Sequence, residues 1–441
     1  MKIEFNPDLV AQQQYHCICC GRGCRSFLVA VRPDERQRIA KLADWPAIIG
    51  TERLFVRHPT ARKLGFGLAK RPDGRCVFLD DNNLCIIHKR FGLAAKPLAC
   101  QLFPFVLTPV AGKLHVGLRF DCPGVIANEA GNLRDYARQL KQLANKLVTP
   151  AIEQLPLPPL LPGQHVAPDT FLAVNDALLH IVTSDALPLT QRLHWLYRFA
   201  SHLKMVKWKN VAPDDAPDLL AMFKGATLAE LQNTTPSASQ APSTAGGHSA
   251  PTLHFPLPHK PRRLLGQIFF CLCQPTTIVT APERNTLPRR IRDRLTRLRH
   301  MRQMGHTKGT LPKIQPHWPD IDLATLEPSF GPWPDDVQSL VSRHLLCRLA
   351  GMGYCGHNFY NYSLLEGLHT LILALVTLGY TMRIEAAKDN RHHLTLTDAQ
   401  AAILTIDGNL GYSPALGFTS SRLRLRYLTD HLPTLINHYC S

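Results

Sequence analysis

The densest chemistry in the chain is the run Tyr15-His16-Cys17-Ile18-Cys19-Cys20-Gly21-Arg22-Gly23-Cys24, which holds four thiols. Cys17 and Cys20 have the two-residue gap that lets a pair of thiolates grip one metal from a single turn, and Cys24 follows after a three-residue gap. Gly21 and Gly23 allow positive φ angles, so the backbone can fold round a metal and turn N–H groups toward sulfur. Four further thiols, Cys76, Cys85, Cys100 and Cys122, come as singles, so that eight of the thirteen cysteines lie in the first 122 residues. Structural zinc takes four tetrahedral ligands, usually from two paired knuckles; iron–sulfur clusters also take four thiolates but accept looser spacing. Here the second knuckle is missing. The spacing predicts a site assembled from distant loops and does not choose the metal.

Compartment decides how such thiols are read. The opening MKIEFNPDLVAQQQ has no apolar core of a secretory leader. The most apolar stretch, Leu371 to Gly379, lies between Glu366, His369 and Arg383 and is short of the roughly 20 residues a membrane span needs, so a buried helix and no membrane span are expected. A cytoplasmic, reducing location follows as the expectation. Disulfides are rare there, and clustered thiols read as metal ligands rather than as buried free thiols or redox pairs. With 45% apolar and 19% charged residues, neither wholesale disorder nor a polytopic membrane protein fits.

The elements that must position the thiols are short and irregular. Phe27 to Val31 and Leu114 to Phe120 read as strands, and Cys76-Val-Phe-Leu places a thiol at the start of another. Pro33 to Leu42 reads as a helix, with proline in its first turn and Asp34 and Glu35 at the positive end of its dipole. From about residue 126 apolar residues recur every three or four positions, first over 133–147, then over 193–206. Helical patterns return at 336–350, 362–383, 397–406 and 420–438. Residues 231–262 are rich in Pro, Ser, Thr and Gly without a period, which predicts a flexible linker or long loop. The expected class is α+β: an irregular cysteine-rich domain with short strands over 1–125, a helical region over 126–230, the linker over 231–262, and a helical C-terminal region over 263–441.

The ordered string Cys17-x2-Cys20-Gly-Arg-x-Cys24, Cys76-x-Phe-Leu, Cys85-x-Ile-His, Lys96-Pro-Leu-Ala-Cys100, Phe103-Pro-Phe105 and Phe120-Asp-Cys122-Pro-Gly124 resembles the YkgJ-type cysteine-cluster family over about residues 12–125. The resemblance implies zinc or iron chelation by Cys17, Cys20, Cys24, Cys76, Cys85, Cys100 and Cys122. Seven thiols exceed one tetrahedral site, so either four take one metal or cluster and three are spared, or two metals share ligands. Dispersed single ligands favour a 4Fe–4S cluster over Zn2+. Gly23 stands where the family usually has another cysteine, and Cys19 lies four residues earlier. Gln101 and Lys96 replace frequent arginines. His88 is often a tyrosine in relatives and reads as structural. Arg22, Arg25 and Arg75 are placed to offset the negative charge of metal-bound thiolates. More distantly, the region resembles the cysteine-rich part of flagellin lysine N-methylases, which would imply methyl transfer from S-adenosylmethionine to a protein lysine; no methyltransferase glycine motif on a strand accompanies it.

Weaker signals have plainer explanations. Gly351-Met-Gly353-Tyr-Cys-Gly356 fits G-x-G-x-x-G, but a helical pattern precedes it, so Gly351 reads as a helix C-terminal glycine. The cysteine triplet runs in the reverse order to that of radical S-adenosylmethionine enzymes. Cys271-x-Cys273 reads as core packing, and Asp214-Asp215 and Asp335-Asp336 as turn or helix-start acids. The net charge of +17 is unevenly placed: residues 1–150 hold 23 Lys/Arg against 12 Asp/Glu, and 151–250 hold 6 against 8. Between Arg284 and Lys308 there are nine Lys/Arg and one acid, with Ile291, Leu295, Leu298 and Met301 at helical spacing. This basic amphipathic helix reads first as a solvated face; nucleic acid over 284–308 is the alternative partner.

Overall fold

The computed structural model describes residues 1–58, 65–234, 257–274 and 287–440. They fall into two compact units: Met1–Gln154 with Gln274–Arg299, and Leu155–Cys273 with His300–Ser441. All six described strands belong to the first unit, and helices make up the second, as the α+β expectation requires.

Two three-stranded sheets frame the first unit. One has the order β1 (Lys2–Glu4), β6 (Lys113–Leu118), β5 (Phe105–Val110), with β1 parallel and β5 antiparallel to β6. The β5–β6 hairpin turns on Ala111 and Gly112, both at positive φ, because a two-residue hairpin loop needs that hand to match the strand twist. The other sheet, β2 (Ala30–Val31), β4 (Phe66–Leu68), β3 (Phe55–Arg57), is antiparallel throughout. Beneath it Val31, Ile39, Trp45, Leu68, Phe78 and Ile87 form one apolar core, with the Trp45 and Phe78 rings edge-to-face at 4.8 Å.

The expected first helix runs Pro33–Ala40, with Pro33, Asp34 and Glu35 in its first turn. Of the strand expected at 27–31 only Ala30 and Val31 pair, and β6 covers most of 114–120. Cys76 does not begin a strand. It makes a single antiparallel bridge to Lys70 and enters a turn, because the chain must reverse at once to bring Leu79 opposite Cys85.

In the second unit the core is the helix Leu364–Lys388, which starts at a capping box formed by Ser363 and Glu366 and is buried at every residue from Gly367 to Ala386. By length and hydropathy it could cross a membrane, but 94% of its most apolar window is covered by the fold. Two glycines allow neighbouring backbone to touch it. A Cβ at Gly367 would lie 1.8 Å from the Tyr354 carbonyl oxygen, and one at Gly379 would lie 2.1 Å from that of Tyr439. Some buried charges are paired: Asp407 accepts from His344 at 2.9 Å and from Arg348, and Arg262 binds Glu327 at 2.7 Å.

The helices expected at 336–350 and 397–406 are Asp335–Ala350, closed by Gly351, and Leu396–Ile406. The single helix expected over 420–438 is two, Thr419–Thr429 and Leu432–Tyr439, since Pro433 is accommodated in a new first turn after the break at Asp430 and His431. Both edges of the expected 231–262 linker are helical, ending at Thr234 and resuming at His259; residues 235–256 lie outside the described residues.

Candidate metal centre

Four short helices, bearing Cys24 and Cys100 or starting at Cys85 and Cys122, and two loops carry the eight early cysteines. Gly21, at φ 66°, begins the helix Arg22–Ser26 that bears Cys24, and the Arg25 guanidinium donates twice to Asn83 Oδ1, at 2.9 and 2.8 Å. The Cys24 carbonyl accepts from the Cys76 N–H at 3.0 Å and from Lys70 Nζ at 2.6 Å, which fastens the first cysteine motif to the second. Asp80 closes the loop after Cys76 by accepting from the Asn82 and Leu84 amides, an arrangement a short acidic side chain makes readily. Cys85 then caps the helix Ile86–Phe91.

Cys100 lies in the helix Leu98–Leu102, whose start is held by Glu35. One carboxylate oxygen accepts the Arg32 N–H at 2.9 Å and the other accepts the Leu98 N–H at 2.6 Å. Gln101 ties the same helix to the preceding turn by donating to the Ala94 and Lys96 carbonyls. Cys122 is the residue before the helix Pro123–Ala127, and the Gly124 and Val125 N–H groups donate to its sulfur. A Cβ at Gly124 would lie 2.7 Å from the His16 carbonyl, so this glycine lets the Cys122 turn close on the Cys17 loop.

One cavity of about 390 Å³ is lined by all eight: Cys17, Cys19, Cys20, Cys24, Cys76, Cys85, Cys100 and Cys122. They divide by surroundings. Cys76 is part of the apolar core beneath the β2–β4–β3 sheet, and Cys24, Cys85 and Cys100 pack against that core. Cys17, Cys19 and Cys20 are exposed, with Cys19 at a left-handed φ of 51°, and Cys122 is buried at its helix start. The remaining five, Cys271, Cys273, Cys347, Cys355 and Cys440, are buried in the helical unit.

Burial pushes the Cys76 thiol up to about 12, and the Cys24 and Cys85 sulfurs add to the shift. Burial raises Cys100 well above the ordinary thiol value and raises Cys24, each reinforced by neighbouring thiols. Cys122 is pushed up to about 11 by burial, although the two N–H donors pull the other way. Packing several acidic thiols together in low dielectric penalises their charged forms. A bound cation would reverse that penalty, since metal binding requires thiolate and releases the protons. Lys70, Lys96, Arg22 and Arg119 share the lining. Burial lowers the Lys70 ammonium, while Cys76, Cys24 and Cys100 oppose the shift.

In type and placement the donors therefore suit a thiolate-bound metal group. Among the described residues, however, no three His, Cys, Asp or Glu side chains converge tightly enough to hold one ion. Of the cations expected near the thiols, Arg22 lines the cavity, Arg25 is bound to Asn83, and Arg75 turns away to Asp73 and Asp81 at 2.5 and 2.9 Å. Sequence reasoning missed Lys70 and Arg119; only chain pairing, Lys70 opposite Cys76, could have indicated the first. His88 lines the cavity but is exposed. Gly23, which stands where the family usually has a cysteine, faces the Phe103 ring, which a Cβ would meet at 3.3 Å.

Residues 16–129 match the family model CxxCxxCC, described as a "putative zinc- or iron-chelating domain". No curated protein and no solved structure matches the chain, so the likeness to flagellin lysine N-methylase has no counterpart there. Cys17, Cys20, Cys24, Cys76, Cys85, Cys100 and Cys122 all fall inside the matched segment and line one cavity, so over about a quarter of the chain the sequence is similar to a cysteine-cluster domain whose description is zinc or iron chelation.

Proposed function

We propose that the N-terminal unit is an iron–sulfur protein module of the cytoplasm, with Cys24, Cys76, Cys85 and Cys100 holding the cluster. Cys17, Cys20 and Cys122 form an outer set beside it. The observation that carries this reading is one cavity lined by all the early thiols, four of them on or against a shared apolar core. Four sulfurs on one zinc stand about 3.8 Å apart, given Zn–S bonds of about 2.3 Å. The cavity of about 390 Å³ leaves room on the same thiols for a larger, polynuclear group. The four cysteines chosen share one apolar core, which excludes water and stiffens the ligands; the exposed Cys17 and Cys20 lack that support. When bound, such a cluster supplies one-electron transfer. Lys70 and Lys96 then serve to offset the excess negative charge of four thiolates, and the N–H groups at Phe78, Gly124 and Val125 donate to sulfur.

The test is anaerobic purification with iron, zinc and acid-labile sulfide determined together with the visible spectrum. The expected protein is brown, with iron and sulfide in equal amounts. A colourless protein with stoichiometric zinc and no sulfide refutes the iron reading and leaves zinc on the same thiols.

Among the described residues no feature favours S-adenosylmethionine chemistry. The nucleic-acid alternative rests on the helix Leu287–Gln303, where Arg292, Arg294, Arg297 and Arg299 are exposed alongside Ile291, Leu295 and Leu298. Exposed leucines add nothing to phosphate binding, so the solvated face stays the preferred reading of this helix.

A further inference from the structure

In the helix Leu287–Gln303 every residue from Ile291 to Arg299 is exposed, including Ile291 at 53%, Leu295 at 61% and Leu298 at 48%. The helix is held at its C-terminal end, where the His300 ring meets that of Phe270 at 6.4 Å and Met304 is fully buried. A Cβ at Gly266 would lie 1.9 Å from the Met304 carbonyl oxygen, so that this end sits backbone against backbone. Helices in folded proteins draw most of their stability from packing an apolar face. Over residues 291–299 that face packs on nothing among the described residues.

Single exposed leucines are ordinary, but these three residues form one stripe. At about 100° per residue, Ile291, Leu295 and Leu298 fall within about 60° of arc. Arg292 and Arg299 border the stripe on one side, Arg294 and Arg297 on the other, and all four are exposed. Arg302, also exposed, stands at its C-terminal end. The only acid of the stretch, Asp293, is on the opposite side of the helix. His300 is on that side too, so its contact with Phe270 holds the helix by the face away from the stripe. Five arginines against one acid give residues 291–303 a formal charge of +4.

We infer that this helix docks on an anionic phospholipid surface, lying flat with Ile291, Leu295 and Leu298 at the acyl boundary and the bordering arginines among the headgroups. Both features of the helix find their complement there: the headgroups are negative and the layer beneath them is apolar. Arginines at the edges of a stripe lay their stems along apolar surface and carry their charge outward. In the protein alone those arginines are solvated. It is the stripe between them that lacks a partner, and the phosphates of a nucleic acid offer it none. The helix has 17 residues, about 25 Å of length, and at least five arginines, so it lies on a bilayer and does not cross it.

Cosedimentation of the full chain with vesicles of equal parts phosphatidylserine and phosphatidylcholine, and with phosphatidylcholine alone, tests the assignment. Binding to the mixed vesicles is expected. It should be weaker by about tenfold or more on phosphatidylcholine alone, since each arginine near an anionic surface contributes about fivefold. The triple variant Ile291→Gln, Leu295→Gln, Leu298→Gln should also lose about tenfold or more on the mixed vesicles. These positions are exposed and glutamine nearly matches leucine in helix propensity, so that loss is not a loss of fold. Absence of binding to the mixed vesicles overturns the proposal. So does a triple variant that binds them as well as wild type, because charge alone then accounts for the attraction. Wild-type self-association in sedimentation velocity that the triple variant abolishes gives the stripe to a second copy of the chain and refutes the lipid partner.

Discussion

Glu35 offers the sharpest test of how the fold builds the metal centre. It is a buried carboxylate 63 residues before Leu98, yet it accepts the Leu98 N–H at 2.6 Å and so starts the helix that carries Cys100. Its other oxygen closes the capping box of its own helix through the Arg32 N–H at 2.9 Å. Glu35→Ala removes both. Loss of the cap costs about 1 kcal/mol, and leaving the buried Leu98 N–H without an acceptor costs about 1–3 kcal/mol. The sum, about 2–4 kcal/mol, corresponds to roughly 30- to 700-fold faster opening, at about 1.4 kcal/mol per decade. Hydrogen exchange followed by mass spectrometry over residues 96–104 reads that opening directly. Metal content measured on the same sample should fall, because Cys100 is then no longer held. Glu35→Gln keeps one acceptor and should lie between wild type and alanine. Unchanged exchange over 96–104 in a folded Glu35→Ala protein, with metal retained, would show that Glu35 does not position Cys100.

Other perturbations separate the remaining claims. Cys76→Ser or Cys100→Ser should lose most of the bound metal and expose the first unit to proteolysis, whereas Cys19→Ser should keep both; metal lost equally in all three would dissolve the distinction between inner and outer thiols. Gly379→Ala drives a methyl to 2.1 Å from the Tyr439 carbonyl, so despite a helix-propensity gain of about 1 kcal/mol it should destabilise the helical unit by about 1–3 kcal/mol net, measured by denaturant unfolding. His369 is held down to about 3 by burial, below the ordinary histidine value of 6.5. Its contribution to stability is therefore complete above pH 6.5 and drains away as pH falls toward 3. Between about pH 7 and pH 5 the loss is about 2 kcal/mol, and His369→Phe should flatten that part of the profile; an identical slope in the variant would count against a neutral buried imidazole. Replacing Arg292, Arg294, Arg297 and Arg299 by glutamine should leave duplex DNA binding as weak as in wild type; a steep salt-dependent affinity lost in the variant would favour the nucleic-acid partner instead.

Local signals carried much of the fold. Helices with a clear apolar period, such as 335–350 and 396–406, lie within a residue or two of where the pattern puts them, because burial of one face needs only the helix's own repeat. Breaks were harder. Pro433 can begin a helix as easily as end one, and only the packing of Leu432–Tyr439 decides between them. The strand expected at Cys76 failed because an apolar run of four is also what a buried turn looks like.

By itself the sequence determined that a thiol-rich segment precedes a helical region, since the types of residue and their order belong to the chain alone. Tertiary structure alone decided that the seven predicted cysteines share one cavity with Cys19, that Cys24, Cys76, Cys85 and Cys100 stand on a common apolar core while Cys17 and Cys20 face solvent, and that Lys70 and Arg119 join them. The reason is physical. Ligand type is a property of single residues, but burial, neighbouring charge and cavity size arise only when segments as far apart as Glu35 and Leu98, or Cys24 and Cys76, hydrogen-bond across the fold.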